Sequence, residues 1–365
     1  MRANPIVAVC KDPGGTNGVL RVIEILRARG HEVRLFLDGH AQKNPSALSA
    51  GGVPISSTID VLNMNPSPSA FLTSMCSGGG IGRDLVPLMH NICPTIALQD
   101  FWGARLKTDW SDLRFRPDYI VVHDELGARL VNEAWDFPAC RIWQTGFPAL
   151  DHYHGCDTEA ARQKVRAYFR LGRNWPVVMY GGDVEYASAM LEEVVFTLNH
   201  LVERFYFYPR PHPRLRTEHA GEMRFFEQIA SQFHNGVLLS LDPNDPQAPS
   251  FTELLAAADV VVANFSTILL EKALLRGPAI SVLFPETGAK LLEQESGGLL
   301  RNYPLAPLCV DEVHSNYELG RAIERAIGDG GFQNRMIRFQ QKRLPLNGQS
   351  GPALADRIER ILIKK

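Results

Sequence analysis

Short apolar runs alternate with longer amphipathic segments along this chain, and the alternation predicts repeated strand and helix units. Buried parallel strands are continuous apolar runs, whereas helices repeat apolar residues every three or four positions. In the first part of the chain the pattern predicts strands over 5–10, 31–37, 94–98, 119–123 and 141–145, with helices over 18–29 and 125–135. Residues 63–82 are rich in Pro, Ser and Gly, which favours a loop or helix start that could move over a site.

The second part repeats the alternation. It predicts strands over 177–180, 206–209 and 237–241, a long helix over 187–204, and helices over 317–326 and 353–363. The strongest unit lies within 251–284, where a strand over 259–263 and a helix over 268–275 precede another strand over 279–284. Gly277 and Pro278 end that helix, with Glu271 and Lys272 among its polar positions. Such units imply parallel sheets with helices on both faces.

The break in the pattern between about 150 and 176 suggests two sheets rather than one. The predicted fold class is therefore α/β, with two Rossmann-like domains facing each other across a cleft. The predicted domains are residues 1–155 and 156–345, followed by a C-terminal helical segment over 346–365.

Composition narrows the function classes. With 365 residues, 45% hydrophobic and 21% charged, the chain is typical of a soluble globular protein. A net charge of −2 gives no general attraction to nucleic acid or to anionic membranes. The first apolar run is too short for a signal peptide or for an integral membrane segment. None of the six cysteines forms a CxxC pair, so we expect reduced thiols in a cytoplasmic protein and no structural zinc.

Several motifs in order resemble a known superfamily. Residues 117–125 and 141–151 are similar to its strand, helix and TGNP-like hinge, and 208–213 to its HP motif. Residues 264–267 with Glu271 and 277–278 are similar to its donor-site block, and 348–353 to its C-terminal pattern. The chain thus resembles GT-B glycosyltransferases, and more narrowly the group that includes UDP-N-acetylglucosamine 2-epimerases and CDP-glycerol glycerophosphotransferases.

The resemblance implies an N-terminal acceptor domain, a C-terminal nucleotide-donor domain and a last helix that returns to the first domain. It also implies a sugar transferase that uses a nucleotide diphosphate sugar, such as a UDP-sugar, with no separate cofactor. The His and Glu of the epimerase signature are missing from 97–105, which argues against epimerisation. Since no convincing DxD-like cluster occurs, no metal is required, and a homodimer is possible.

The predicted donor site lies at strand ends of the second domain. Ser266 and Thr267 can donate hydroxyl hydrogen bonds to a phosphate beside free helix amides, or Ser266 can simply cap the helix. Glu271, one turn later, can accept from ribose hydroxyls. Two further pairs complete the predicted donor-binding residues, namely Gly181 with Gly182 and Arg210 with His212.

The predicted catalytic residues are His212 and two aspartates. His212, held between prolines beside Arg210, can stabilise the leaving diphosphate. Asp12 and Asp100 are alternative candidates for the base that an inverting transferase needs. The glycines after Asp12 permit positive φ and close approach of a ligand, so the predicted acceptor-side residues are Gly14, Gly15 and Thr16.

The prediction is transfer of a sugar from a nucleotide diphosphate sugar to a hydroxyl acceptor, without a metal. A nucleotide-sugar 2-epimerase or a polyol-phosphate transferase is the alternative among enzymes. A catalytically silent nucleotide-sugar-binding protein is the alternative outside enzymes. Inverting and retaining courses, and the identities of the nucleotide base, the sugar and the acceptor, are open at this level.

Overall fold

Two parallel sheets organise the computed structural model, which describes residues 4–242, 245–344 and 347–363. Unit 1 takes the described residues of Met1–His154, Glu295–Leu299 and Asn347–Lys365. Unit 2 takes those of Gly155–Gln294 and Leu300–Leu346. The predicted domain boundary between residues 345 and 346 lies outside the described residues.

Unit 1 is built on seven strands and the helices that join them. The strands are β1 (Ile6–Cys10), β2 (Val33–Leu37), β3 (Val53–Pro54), β4 (Ala70–Ser74), β5 (Thr95–Leu98), β6 (Tyr119–Val122) and β7 (Ile142–Gln144). The helices are α1 (Pro13–Ala28), α2 (Pro45–Ser49), α3 (Ile59–Leu62), α4 (Ile81–Met89) and α5 (Glu125–Trp135). All neighbouring strands are parallel, in the order β3-β2-β1-β4-β5-β6-β7.

Unit 2 repeats this architecture. Its strands are β8 (Val177–Gly181), β9 (Phe205–Arg210), β10 (Gly236–Leu238), β11 (Val260–Ala263), β12 (Ala279–Val282) and β13 (Asp311–Val313), in the parallel order β10-β9-β8-β11-β12-β13. Its helices are α6 (Thr158–Tyr168), α7 (Ala187–His200), α8 (Pro213–Glu218), α9 (Ala220–Ala230), α10 (Phe251–Ala257), α11 (Thr267–Leu274), α13 (Asn316–Gly328) and α14 (Gly330–Arg343), and α12 (Gly288–Ser296) begins in unit 2.

The last helix, α15 (Ser350–Ile363), belongs to unit 1, as the resemblance implied. Leu354, Ala355 and Ile358 pack into the same core as α1. Asp151 fixes the start of α15, because its carboxylate accepts hydrogen bonds from the amides of Ser350 (3.1 Å) and Gly351 (2.7 Å). The fold class predicted from the alternation of strands and helices is confirmed by the two parallel sheets.

Two predictions about unit 1 are wrong. Helix α1 begins at Pro13 rather than Gly18, since proline fits the first turn, where its missing N–H is not needed. The segment 63–82, predicted as a loop or helix start, contains β4, whose five residues are all buried, and helix α4 starts at Ile81 near its end. Strand β4 lies between Pro, Ser and Gly residues, which hid its apolar run. No described helix is both long enough and apolar enough to cross a membrane.

Candidate functional site

Each sheet has one place where the direction of the strand order reverses. In unit 1 it lies between β1 and β4, and in unit 2 between β8 and β11. Ligands of open parallel sheets bind outside the carboxyl ends of the strands at such a switch point, because neighbouring loops there turn to opposite faces. The predicted site residues follow the strands at these two edges.

In unit 1, Gly14 and Gly15 lie in the first turn of α1 at this edge. A Cβ atom at Gly15 would be 2.4 Å from Oγ of Ser74, and one at Gly14 would be 2.9 Å from Oδ1 of Asp100. The prediction that these glycines serve a positive φ is wrong, since neither is among the positive-φ residues. Their physical role is close packing, which brings the N-terminus of α1 against β4 and Asp100.

Asp12 precedes α1 and is held in place by its neighbours. Its Oδ2 accepts hydrogen bonds from the amide (2.7 Å) and the hydroxyl (2.9 Å) of Ser77. The Asp12 amide donates to Sγ of Cys76, and the buried Thr16 hydroxyl donates to the Asp12 carbonyl over 2.7 Å. Thr16 therefore supports the helix start, and its hydroxyl is already engaged. Sequence reasoning missed Ser77, because only the pairing of β4 with β1 brings it to Asp12.

Asp100 follows β5 and is half-buried beside this helix start. Burial, followed by the charge of Asp12, raises the pKa of Asp100 to about 6, although Arg105 opposes the shift. A carboxylate with such a pKa is ionised at neutral pH and still accepts a proton readily. Unit 1 thus brings together the two aspartates that were predicted as alternatives, and gives them different environments.

Two other side chains at this edge are buried. The Nδ1 atom of His123 lies 3.3 Å from the Gly146 carbonyl, its ring stacks on Phe147, and burial lowers its pKa to about 4. Burial and then the charge of Asp12 raise the pKa of Cys76 to about 12. Both groups are therefore neutral at physiological pH, unlike Asp12, Asp100 and Lys11, whose Nζ donates to the Ser77 carbonyl. Trp102 is fully buried, and its Nε1 donates to the Asp124 carboxylate over 2.9 Å.

In unit 2, β8 ends at Gly181 and is followed by Gly182, and both glycines are closely packed. A Cβ atom at Gly181 would be 2.9 Å from Cδ1 of Ile268, so Gly181 lets α11 approach β8. The Gly182 amide donates to the Arg210 carbonyl over 2.9 Å, which joins the ends of β8 and β9. The two predicted glycines and the Arg210 segment therefore lie at neighbouring strand ends of one sheet.

The start of α11 carries Ser266, Thr267 and Glu271, all half-buried. Ser266 is the N-cap residue, but its side chain makes no capping hydrogen bond. Its carbonyl is fixed instead by the hydroxyl of the buried Tyr303, over 2.9 Å. The Ser266 side chain thus leaves the amides of the first helical turn without its cap, and amides without an N-cap side chain favour an anion.

Arg210 and His212 leave β9 at the same edge. The Arg210 guanidinium lies 4.2 Å from the centre of the Phe251 ring. His212 caps α8, and its Nδ1 accepts the amide of Arg214 over 3.2 Å. A neutral His212 must therefore carry its proton on Nε2.

Two residues of unit 2 were missed as individual candidates. Asn264 follows β11, is fully buried, and among the described residues has no hydrogen-bond partner for either side-chain amide atom. Lys272, expected to be a polar position of α11, is buried, and its Nζ donates to the carbonyls of Leu255 and Ala258. Gly277 leaves the space that the lysine fills, since a Cβ there would lie 2.1 Å from Cε of Lys272. A single-residue polarity pattern cannot predict such burial.

Solved structures share this arrangement of two sheets. S. aureus MnaA, solved with UDP, has a TM-score of 0.67 at 11% identity, over 99% of this chain and 97% of its own. A glycosyltransferase from Rickettsia africae ESF-5 has a TM-score of 0.64 at 12% identity, over the whole of both chains. The chain has the GT-B fold.

The wall teichoic acid polymerase TagF, in an H444N form soaked with CDPG, also shares the GT-B fold. Its TM-score is 0.62 at 13% identity, over 99% of this chain and 89% of its own. No family model and no curated protein sequence matches the chain. At sequence identities of 11–13% the structural similarity shows the fold alone, so the chemistry has to be argued from the residues.

Proposed function

We propose that this protein transfers a sugar from a nucleotide diphosphate sugar to a hydroxyl acceptor. The observation that carries the proposal is the uncapped start of α11 at the switch point of unit 2. Free helix amides attract a diphosphate, and Ser266 and Thr267 add hydroxyl donors. Gly181 and Gly182 lie at the end of the neighbouring strand, and in the proposal Glu271 accepts from ribose hydroxyls.

Departure of the diphosphate needs positive groups. In the proposal, the amides at the start of α11 and a hydrogen bond from Nε2 of His212 stabilise the charge that develops on the leaving oxygen. Arg210, at the same strand end, adds a fixed cation. These groups take the part that a metal ion plays in other transferases, so we expect the rate of transfer to be insensitive to EDTA.

Asp100 is the proposed base, and Asp12 is its electrostatic neighbour. The acceptor oxygen forms a bond to the anomeric carbon while the bond from that carbon to the phosphate oxygen breaks. The hydroxyl proton passes to the Asp100 carboxylate, and the nucleoside diphosphate leaves. Asp100 suits this role because its pKa of about 6 lies near neutral pH, whereas the carboxylate of Asp12 is engaged by Ser77. This is the course of an inverting transferase.

Titration calorimetry with UDP, CDP and GDP tests the donor site. We expect at least one of them to bind, and the Ser266→Ala, Thr267→Ala double variant to bind it at least about tenfold more weakly, because hydrogen bonds to charged groups contribute roughly 1.5–3 kcal/mol each. Absence of binding to all three nucleotides, or equal binding by the double variant, would reject the proposal. Ser231→Ala, on the exposed C-terminal end of α9, is the matched control.

A further inference from the structure

The amide of Asn264 is an exception in the interior of unit 2. Asn264 is fully buried, and both polar atoms of its side chain lack a hydrogen-bond partner among the described residues. Gln340 is buried too, but its Nε2 donates to the carbonyls of Gly277 and Cys309, so that only its Oε1 lacks a partner among the described residues. A buried amide without partners loses its hydration and gains nothing in return, so each such group calls for an explanation.

The position of Asn264 connects it to the proposed donor site. It lies between β11 and the uncapped start of α11, at the switch point of the sheet. Its backbone is fixed there, because the Ser281 hydroxyl donates to its carbonyl over 3.1 Å. By the two-residue alternation of a strand, Asn264 continues the row of Val260 and Val262, which pack in one core with residues of α7.

The 182–186 loop, which joins β8 to α7, leaves the strand end beside Asn264, because Gly181 pairs with Ala263 in the parallel register of β8 and β11. It ends at Tyr186, a non-glycine residue with a φ of 57°. Bulky side chains seldom adopt this left-handed conformation, and residues held in it cluster at ligand clamps and switch regions. The loop therefore combines a strained end with a start at the strand end beside Asn264.

We propose that Asn264 is a positioning residue for the donor diphosphate. When the diphosphate occupies the start of α11, the 182–186 loop settles over the strand ends, and its backbone supplies hydrogen bonds to the Asn264 amide. Asn264 does not touch the ligand, because it is fully buried. It transmits binding energy by holding the loop in its ligand-bound position. This inference rests on the proposed function, since it takes the diphosphate site of unit 2 as given.

The inference predicts an inverse relation between stability and affinity. Replacing Asn264 by leucine keeps its shape and removes polar atoms that have no partner in the described structure. The free protein should then unfold at the same or a higher urea concentration than the wild type, while the Kd for the nucleotide rises at least about tenfold. Asn264→Ala, which cannot clash, serves as the second variant. Gln340→Met removes two hydrogen bonds and should lower the urea midpoint without changing the Kd.

The experiment measures urea unfolding of the free protein and calorimetric binding of UDP, CDP and GDP for the wild type and the three variants. Weaker binding with unchanged or raised stability supports the inference. A Kd within twofold of the wild type in either Asn264 variant overturns it, as does weaker binding together with a lower midpoint in both variants. If the wild type binds none of the nucleotides, the proposed function itself fails, which is a distinct result.

Discussion

The carboxyl edges of the two sheets have the same topology and carry opposite chemistry. At the edge of unit 1, Asp12 and Asp100 place two carboxylates beside the first turn of α1. At the edge of unit 2, Ser266 and Thr267 lie at a helix start whose N-cap side chain makes no capping hydrogen bond, and the acids there are Asp183 and Glu271. A strand–helix edge offers the same backbone amides in both cases, so the side chains decide whether it holds a base or an anion.

The charged side chains Lys272 in unit 2 and Asp100 in unit 1 also lie in different surroundings. Lys272 in unit 2 is satisfied by two backbone carbonyls, which is what a structural charge requires. Asp100 in unit 1 is half-buried next to another carboxylate, and its pKa is raised. A group that keeps an unfavourable environment costs stability, and such groups are characteristic of functional sites. Backbone partners therefore favour a structural role for Lys272, whereas the second carboxylate beside Asp100 supports its proposed role as the base, and the variants below test this contrast.

The largest expected effect is that of Asp100→Asn. Loss of a general base lowers rates by about 10²–10⁴-fold, so release of nucleoside diphosphate from the donor should fall within that range. Donor affinity should not change, because it depends on unit 2.

The same variant tests the effect of Asp100 on stability. Since the folded pKa of about 6 exceeds 3.8, the stability that Asp100 contributes is present below pH 3.8 and lost as the pH rises through 6. At pH 7.5 the variant should therefore be at least as stable as the wild type.

Denaturant unfolding at pH 7.5 and a steady-state assay measure both properties, with Glu133→Gln on the exposed side of α5 as control. If Asp100→Asn keeps most of its activity, Asp100 is not the base, and the proposed difference in role between Asp100 and Lys272 is wrong.

The next largest expected effect is the loss of stability when a side chain is added where α1 packs closely against β4 in unit 1. Gly15→Ala would place its Cβ 2.5 Å from Cβ of Ser74, an atom that cannot rotate away, so we expect a loss of about 3 kcal/mol in the free energy of unfolding. Gly181→Ala meets the flexible end of Ile268 and should cost about 1 kcal/mol. Urea unfolding measures both changes. Failure of Ser74→Gly to restore part of the loss in the Gly15→Ala background would contradict this packing explanation.

Asp12→Asn should act on the pH profile. The variant keeps an oxygen that can accept from Ser77 and loses the charge that raises the pKa of Asp100. The pKa of Asp100 then falls, the base stays ionised to lower pH, and the acid limb of kcat/KM moves to lower pH. Profiles of the wild type, Asp12→Asn and the control Asp84→Asn measure this. An unmoved acid limb in Asp12→Asn would show that the two carboxylates act independently.

The smallest expected effect is that of Lys272→Met on the pH dependence of stability. Burial lowers the folded pKa of Lys272 from 10.5 to about 8. The stability that this group contributes is present above pH 10.5 and is lost as the pH falls through 8, so the wild type should gain stability between pH 8 and 10.5. The variant should lack that gain, whereas the exposed Lys43→Met should retain it. Thermal unfolding across this pH range gives the slopes, and equal slopes in the wild type and Lys272→Met would contradict the assignment.

Much of the fold could be predicted, because apolar periodicity is a local property. The helix Glu125–Trp135 lies where the pattern put it, and the strands of both units were found apart from short ones such as β4 and β13. Residue types at strand ends also pointed to both edges, including Asp12, Asp100, Ser266 and Thr267. Their roles in binding and catalysis stay predictions. The contacts of Ser77 with Asp12, the unpartnered amide of Asn264 and the burial of Lys272 could not be predicted, since each depends on segments far apart in the chain.

The sequence by itself determined the class of fold and the two strand-end segments that carry polar chemistry, because a strand or a helix reveals its period within a few residues. Tertiary structure alone decided which carboxylate has the raised pKa, why Gly15 has to be a glycine, and that the lysine next to Glu271 is buried. Desolvation and close packing depend on what the strand order places next to each atom. That order is set by contacts between distant segments, which no local pattern contains.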